Sequence, residues 1–355
     1  MQILYPGLMQ IKSHINKIKR TKFLKTSRYK KIRLDKNEKI DQFSNSFLNL
    51  YKSKLTSEIL SAYPEFNNLL KLIANKNKIN TNNILLTSGI DSAIKLIIEA
   101  FTSKKNKVLI LDPTFAMTSI HCRAANLNII KIGYNNKLEI NFDQLFKKIN
   151  QKLKLIILSN PNSPTGTIIE KNELNMILKK AKKFKIPVLI DEAYYGFTKQ
   201  TTLKLISKFN NLFVARTFSK MFGLAGLRAG FIASNKKNID YLSKIKPMYE
   251  MNSAAVVAAE TILQNEKLTK NYYKETLLAK NLLIKTLKKK NFDYFNSHAN
   301  FILIDFKKYK NKILKIAKKK NILISNNSPF KNYTRVTLGP LTHFKKIINI
   351  ISNQL

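Results

Sequence analysis

The stretch RTFSKMFGLAGLRAGF, residues Arg216 to Phe231, is the most informative part of the sequence. Lys220 comes just after an apolar run, LFVA, and Arg228 follows eight residues later. Only seven of the 64 basic residues are arginine, so an arginine inside a motif is informative where a lysine alone is not. A lysine amine can bind an aldehyde, and an arginine at a fixed distance from it can bind a phosphate, so the pair suits a cofactor that bears both groups. The motif therefore predicts pyridoxal phosphate, held as a Schiff base on Lys220.

Short apolar runs recur along the chain from about residue 43, and each is followed by a turn and a helix-like stretch. Strands of this kind, alternating with amphipathic helices such as 171–184, predict a mainly parallel α/β sheet covered on both faces. The predicted strands span 83–87, 107–112, 128–134, 153–160, 186–193, 212–217 and 227–234. Ligands in such folds bind beyond the carboxyl ends of the strands.

Three parts are predicted along the chain: an N-terminal arm at 1–42, a large cofactor-binding domain at 43–246 and a smaller domain at 247–355. The small domain begins with a long helix-like segment at about 252–290. Strands predicted at 301–306, 321–325 and 334–339 make it an α+β unit, and we expect part of the arm to join it.

The net charge of +43 does not by itself predict nucleic-acid binding, because the lysines are spread along the chain and are not clustered on one element. The positive field should instead attract small anionic substrates. The single cysteine, Cys122, excludes an intrachain disulfide, and the four histidines lack metal-ligand spacing. No apolar run approaches the roughly 20 residues that span a bilayer, and no secretory signal is evident. We therefore expect no membrane contact and a cytoplasmic location.

Three polar residues follow successive predicted strands. Asn162 lies in the turn NPNSPTG, Asp191 begins DEAYYGF, and Lys220 ends RTFSK, at intervals of 29 residues. Each alone is most simply a turn, a strand end or a solvated lysine. Together they predict one site, because a spacing of one βαβ step brings all three to the same edge of the sheet.

A fourth strand end offers a site for a phosphate. The segment NILLTSGIDSA gives a strand, a turn at Ser88–Gly89 and a helix that starts near Asp91. The free N–H groups and partial positive charge of a helix N-terminus attract anions.

The motifs NPNSPTG, DEAYYGF and RTFSKMFGLAGLRAGF together resemble those of the class I/II aminotransferases, which are fold-type I pyridoxal-phosphate enzymes. The sequence is most similar to histidinol-phosphate aminotransferases, and the resemblance runs from RLDKNE (33–38) to TRVTLG (334–339). It implies a homodimer that moves an amino group from an amino donor to a 2-oxo acid such as 2-oxoglutarate.

The resemblance also implies roles around the cofactor ring. Lys220 holds the cofactor and then carries a proton, while Asp191 keeps the pyridine nitrogen protonated. Tyr194 and Asn162 hydrogen-bond the phenolic oxygen. Related sequences carry Asn directly before Pro-Thr-Gly, where this chain has Ser163. The second contact to the phenolic oxygen could therefore come from Asn162 or from Ser163.

Further roles follow from the same resemblance. The phosphate is expected to bind a set of residues from one subunit: Gly89, Ile90, Asp91, Thr217, Ser219 and Arg228. Tyr63 reaches the phosphate from the partner, and Phe115 stands where the family has a tyrosine stacked on the ring. Arg335 and Asn37 are the expected substrate-binding residues.

The substrate is less well defined by the sequence than the cofactor. Relatives have a proline soon after Asn-Glu, where this chain has Lys39 and Ile40, and an arginine where it has Ala62. A threonine-phosphate decarboxylase-like activity or a transaminase for another amino acid therefore stays open. A non-enzymatic ligand sensor is disfavoured because no helix-turn-helix pattern precedes the domain.

Overall fold

The structure is a computed structural model that describes residues 11–19, 27–325, 330 and 332–353. Residues 1–10 and 20–26 of the predicted arm, and a few residues of the predicted small domain, lie outside these ranges. No helix in the described ranges is long and apolar enough to cross a membrane.

The secondary structure alternates strands and helices through most of the chain. The strands of the described residues are β1 (Ile32–Leu34), β2 (Ile84–Thr87), β3 (Lys107–Asp112), β4 (Asn128–Gly133), β5 (Leu153–Ser159), β6 (Val188–Asp191), β7 (Leu212–Thr217), β8 (Gly230–Ala233), β9 (Asp293–Phe295), β10 (Phe301–Asp305), β11 (Ile322–Ile324) and β12 (Tyr333–Thr337). The α-helices are α1 (Ser13–Asn16), α2 (Asn45–Lys54), α3 (Ser57–Ser61), α4 (Asn67–Asn77), α5 (Gly89–Phe101), α6 (Ala116–Ala124), α7 (Phe142–Lys148), α8 (Lys171–Lys183), α9 (Lys236–Ser243), α10 (Ser253–Gln264), α11 (Glu266–Lys289), α12 (Lys310–Lys319) and α13 (Leu341–Ser352).

The large sheet has seven strands in the order β2-β8-β7-β6-β5-β3-β4. All neighbouring pairs from β7 to β4 are parallel, whereas β8 runs antiparallel to both β2 and β7. β8 follows β7 without an intervening α-helix, so it returns in the opposite direction. The mostly parallel α/β sheet predicted from the sequence is confirmed.

Both faces of this sheet are buried, which explains the continuous apolar runs. Leu109 of β3 and Ile156 of β5 belong to one core cluster, and Ile110 and Ile157 beside them belong to another on the opposite face. Successive strand residues point to opposite faces, so a strand covered on both sides has to be apolar throughout.

A smaller unit has its own core and two small sheets. One sheet is antiparallel with the order β12-β10-β9, and the other pairs β1 of the arm in parallel with β11. Leu34 and Ile40 of the arm are buried in this second core, so part of the arm joins the small unit, as expected.

The larger core extends past the boundary expected at residue 246. Met251 and most of helix α10 pack in the large core, because their apolar side chains face it. The next helix, α11, connects the two cores: Leu268 packs on the large one, and Leu283 and Leu287 are buried in the small one.

Candidate active site

The carboxyl ends of β5, β6 and β7 form the floor of the site. Ser159, the last residue of β5, pairs in register with Asp191, the last residue of β6. Its hydroxyl donates a hydrogen bond to Asp191 Oδ2 at 3.1 Å. Asn162 and Lys220 follow the neighbouring strand ends, so the sequence motifs meet at the same edge of the sheet.

Asp191 is a buried carboxylate aimed at this edge. It is 2% exposed, and its Oδ1 accepts a hydrogen bond from the backbone N–H of Ala193 at 2.9 Å. Burial raises the pKa of the Asp191 carboxyl to about 6, against the hydrogen bonds from Ala193 and Ser159, which lower it. A buried carboxylate with so few partners is well suited to pair with a cationic ring nitrogen.

Lys220 is half-buried above the same edge. Its Nζ donates to the carbonyl oxygen of Lys36 at 3.0 Å and lies 5.8 Å from the ring centroid of Tyr194. Burial lowers the pKa of the Lys220 amine. Tyr194 acts against this shift, whereas the positive charges of Arg335 and Arg228 act in the same direction as burial. A lowered pKa raises the fraction of neutral amine, which is the nucleophilic form.

Tyr194 is hydrogen-bonded to a residue of the N-terminal arm. Its hydroxyl oxygen accepts a hydrogen bond from Asn37 Nδ2 at 2.9 Å, and its ring packs edge-on against Phe301. Asn37 is 1% exposed and also exchanges hydrogen bonds with Thr337. The structure therefore brings Asn37 to the site through Tyr194.

The residues expected at the phosphate form a cradle between β7, β8 and the start of α5. Arg228 Nη1 donates to Ser219 Oγ at 3.2 Å, and Thr217 Oγ1 lies 3.0 Å from the same hydroxyl. Arg228 also faces Asp91 at 3.8 Å. A Cβ atom added at Gly89, whose φ is +76°, would lie 2.8 Å from Arg228 Nη2. Glycine thus leaves space beside the guanidinium. The first backbone N–H groups of α5, including that of Ile90, lie at the same place.

The turn after β5 uses Asn162 as a structural anchor. Asn162 Nδ2 donates to Pro113 O and to Thr165 Oγ1, both at 2.9 Å, and Oδ1 accepts from Thr114 at 2.8 Å. Both amide hydrogens are engaged, so Asn162 has no free donor for a cofactor. The adjacent Ser163 is 6% exposed, and its hydroxyl makes no hydrogen bond to the part of the chain that the structure describes.

Two aromatic residues differ in their placement. Phe115 is half-buried at the start of α6 and packs against the same core face as Ala193. Tyr63 is 74% exposed and stacks on Tyr249, with ring centroids 4.1 Å apart. The residue after Tyr249, Glu250, accepts a hydrogen bond from the amide of Ser88 at 2.9 Å, just before α5.

Arg335 lies on β12, at the side of the small unit that faces the site. Its Nη2 donates to the carbonyl oxygen of Asp35 at 2.7 Å, and its guanidinium carbon lies 5.7 Å from the Phe301 ring centroid. Its Nε is buried and has no hydrogen-bond partner among the described residues. A half-buried guanidinium with an unused donor is suited to an acidic group of a substrate.

A buried ion pair behind the site was not predicted from the sequence. Arg216 Nε donates to Glu192 Oε2 at 3.0 Å, and both residues are at most 4% exposed. Arg216 also donates to Asn77 at 2.6 Å and to Thr201 at 2.7 Å, and it stacks on Tyr195. The rarity of arginine and the position of Glu192 directly after Asp191 were the available signals.

Known proteins resemble this chain over most of its length. The profile of the family described as aminotransferase class I and II matches residues 52–351. The histidinol-phosphate aminotransferase of Buchnera aphidicola subsp. Schizaphis graminum is 32% identical and covers 96% of this chain and 99% of its own. The enzyme of that name from Clostridium novyi is 30% identical, with 90% and 91% covered. The crystal structure of histidinol-phosphate aminotransferase from Clostridium acetobutylicum has the same fold, with a TM-score of 0.80, 24% identity and coverage of 90% and 98%.

The residues of the site fit pyridoxal phosphate, the cofactor of this family. The buried carboxylate suits the ring nitrogen of that molecule, and the lysine of lowered pKa suits its aldehyde. The tyrosine hydroxyl suits the phenolic oxygen, and the arginine-lined cradle at a helix N-terminus suits the phosphate. The chain is therefore a pyridoxal-phosphate-dependent enzyme and belongs to the class I and II aminotransferases.

Proposed function

We propose that the chain transfers the amino group of L-histidinol phosphate to 2-oxoglutarate. The similarity to histidinol-phosphate aminotransferases over at least 90% of the chain carries this proposal. The free buried Nε of Arg335 supports it, because both the donor phosphate and the acceptor carboxylates are anionic.

The chain's own groups hold the cofactor at each end. Lys220 binds the aldehyde, Asp191 pairs with the pyridine nitrogen, and Tyr194 donates to the phenolic oxygen. Ser163 supplies the second contact to that oxygen in preference to Asn162, because both amide hydrogens of Asn162 are already engaged. Phe115 covers one face of the ring.

The phosphate is bound by the cradle at the start of α5. Its members are the amides of Gly89, Ile90 and Asp91, the hydroxyls of Thr217 and Ser219, and the Arg228 guanidinium. When bound, the cofactor acts as an electron sink for the substrate Cα.

Lys220 carries the proton in this reaction. A pKa lowered by burial favours the neutral form of the amine, which can accept a proton from the substrate Cα. The Lys36 carbonyl, 3.0 Å away, orients that amine. Arg335 fixes the acidic end of the substrate, so that the Cα hydrogen faces Lys220.

The active unit is a homodimer in this proposal. Tyr63 is 74% exposed in the single chain. Leu60, close to Tyr63 in sequence, is 64% exposed, and Met248, next to Tyr249, is 72% exposed. An exposed apolar surface of this kind is typical of an interface. Tyr63 then reaches the phosphate of the partner's cofactor.

Substrate specificity is tested with purified, cofactor-loaded protein. L-histidinol phosphate, O-phospho-L-threonine and L-glutamate are offered separately, and products are identified by mass spectrometry. We expect a keto product from histidinol phosphate together with the pyridoxamine form of the cofactor. Carbon dioxide release from phosphothreonine, without reaction of histidinol phosphate, would contradict the proposal and favour a decarboxylase.

A further inference from the structure

Asn37 occupies a tightly constrained position between the arm and the small unit. It is 1% exposed and adopts a left-handed backbone conformation, with φ of +55°. Its backbone N–H donates to Thr337 Oγ1 at 3.0 Å, and its carbonyl oxygen accepts from Asn300 at 3.2 Å. Asparagine adopts this conformation more readily than most residues do. The side chain is therefore held in one place and is enclosed by protein.

The hydrogen bonds of the Asn37 side chain have a definite direction. The Thr337 hydroxyl already accepts from the Asn37 backbone, and its hydrogen is donated to Asn37 Oδ1 at 3.0 Å. Nδ2 then faces Tyr194 and donates to its oxygen at 2.9 Å. An amide NH₂ group can only donate. The hydrogen of the Tyr194 hydroxyl is therefore not used in this contact and points elsewhere.

We propose that Asn37 is a positioning residue, which directs the Tyr194 hydroxyl hydrogen toward the phenolic oxygen of the cofactor. This inference rests on the cofactor placement in the proposed function. It assigns Asn37 a role through Tyr194 in place of the substrate contact expected from the sequence.

The same contacts connect the cofactor side of the site to the substrate side. Thr337 lies two residues after Arg335 on β12, so both side chains point to the same face of that strand. The hydrogen bonds run from Thr337 to Asn37 and on to Tyr194. The strand that carries Arg335 therefore also anchors Asn37.

Asn37→Asp is the variant that tests the direction of the hydrogen bond. Aspartate matches asparagine in shape and tolerates the left-handed backbone, so we expect the variant to fold. An ionised carboxylate can only accept, so it turns the Tyr194 hydrogen away from the cofactor. A donor at the phenolic oxygen draws charge from it and makes the cofactor-bound lysine nitrogen easier to deprotonate. Loss of that donor raises the pH midpoint of the cofactor absorbance by about one unit.

The experiment is a double-mutant cycle read by absorbance titration of the cofactor-loaded protein. We expect Asn37→Asp and Tyr194→Phe to raise the midpoint by similar amounts and the double variant to shift it no further. Lys31→Gln is the matched control, since it makes the same change in charge on the same arm at a residue outside the hydrogen bonds described above. We expect it to leave the midpoint in place.

Three results would overturn the inference. Asn37→Asp could shift the midpoint equally with and without the Tyr194 hydroxyl, which would indicate a charge effect. It could leave the midpoint unchanged and raise KM for the amino donor, which would indicate a substrate contact. An unchanged midpoint in Tyr194→Phe would remove Tyr194 from the phenolic oxygen, while the reaction itself is judged separately by its products.

Discussion

The side-chain nitrogen of Lys220 donates a hydrogen bond to the carbonyl oxygen of Lys36, 3.0 Å away. The preceding residue, Asp35, accepts a hydrogen bond from Arg335 at 2.7 Å. The following residue, Asn37, is buried in the same region. The arm therefore contacts both the proposed cofactor lysine and the proposed substrate arginine, and it forms part of the proposed active site.

Substitution of Arg335 tests the substrate side of the site. Arg335→Ala should raise KM for acidic donors and acceptors by about 10- to 100-fold, because it removes charge-assisted hydrogen bonds worth about 1.5–3 kcal/mol. Arg335→Lys should recover only part of the loss, since lysine lacks the planar fork. Steady-state kinetics give the result, with the exposed Arg123→Ala as control. An unchanged KM in Arg335→Ala would remove Arg335 from the substrate.

The buried carboxyl of Asp191 predicts a pH-dependent stability of the cofactor-free protein. Its folded-state pKa, raised by burial to about 6, lies above the ordinary value of 3.8 for an aspartate, so the folded state holds the proton more tightly. The protonated Asp191 therefore contributes to the free energy of unfolding at low pH. This contribution falls as pH rises from about 4 to 6 and is absent above that range. Asp191→Asn should then increase the free energy of unfolding at pH 7.5 by about 1–3 kcal/mol.

Denaturant unfolding from pH 5 to 8 measures this difference. The gap between Asp191→Asn and the unsubstituted protein should widen with pH up to about 6 to 7 and then stay constant. Turnover of the variant should fall sharply, because the ring nitrogen loses its anionic partner. A variant that is less stable at every pH would show that the carboxylate is well compensated without the cofactor.

The Arg216–Glu192 pair is expected to be structural. Arg216→Met leaves Glu192 charged, buried and without its cation, which should lower the free energy of unfolding by about 3–5 kcal/mol. Glu266→Gln is the control, because Glu266 pairs with Lys76 and Lys270 at the surface. It should change stability by less than about 1 kcal/mol. Equal losses in the two variants, measured by chemical denaturation, would contradict the role of the buried pair.

Tyr63 tests the proposed dimer. Tyr63→Phe should leave the sedimentation of the protein unchanged and weaken cofactor binding about tenfold, because a hydrogen bond to a charged phosphate is lost. Tyr29→Phe, also highly exposed at 83%, is the control and should bind the cofactor normally. A monomer that retains full cofactor affinity at micromolar concentration would exclude a partner contribution to the site.

The sequence predicted the sheet well, and it predicted that three motifs would meet at one edge of it, because both depend on local patterns. Continuous apolar runs marked the seven strands, and the residues after β5, β6 and β7 marked the edge where Asp191 and Lys220 meet. The predicted ends of the strands were less accurate than their positions. The run at 186–193 gives a strand only over Val188–Asp191, since Pro187 has no N–H to donate before it.

Long-range contacts were beyond sequence reasoning. Asn37 and Thr337 are 300 residues apart, and nothing in either local segment shows that they share two hydrogen bonds. Asn162 matched a motif, yet its amide is engaged by the loop after β3. The extent of the large core past residue 246 depends on which face of α10 finds apolar partners, and that is a tertiary property.

The identity of the cofactor lysine is the central claim, and reductive trapping tests it most directly. Borohydride reduces the carbon–nitrogen double bond between cofactor and lysine to a stable amine, and peptide mass spectrometry then locates the added mass. We predict the mass on the peptide that contains Lys220, and its loss, together with turnover, in a folded Lys220→Ala variant. Labelling of another lysine, or full turnover in that variant, would contradict the account.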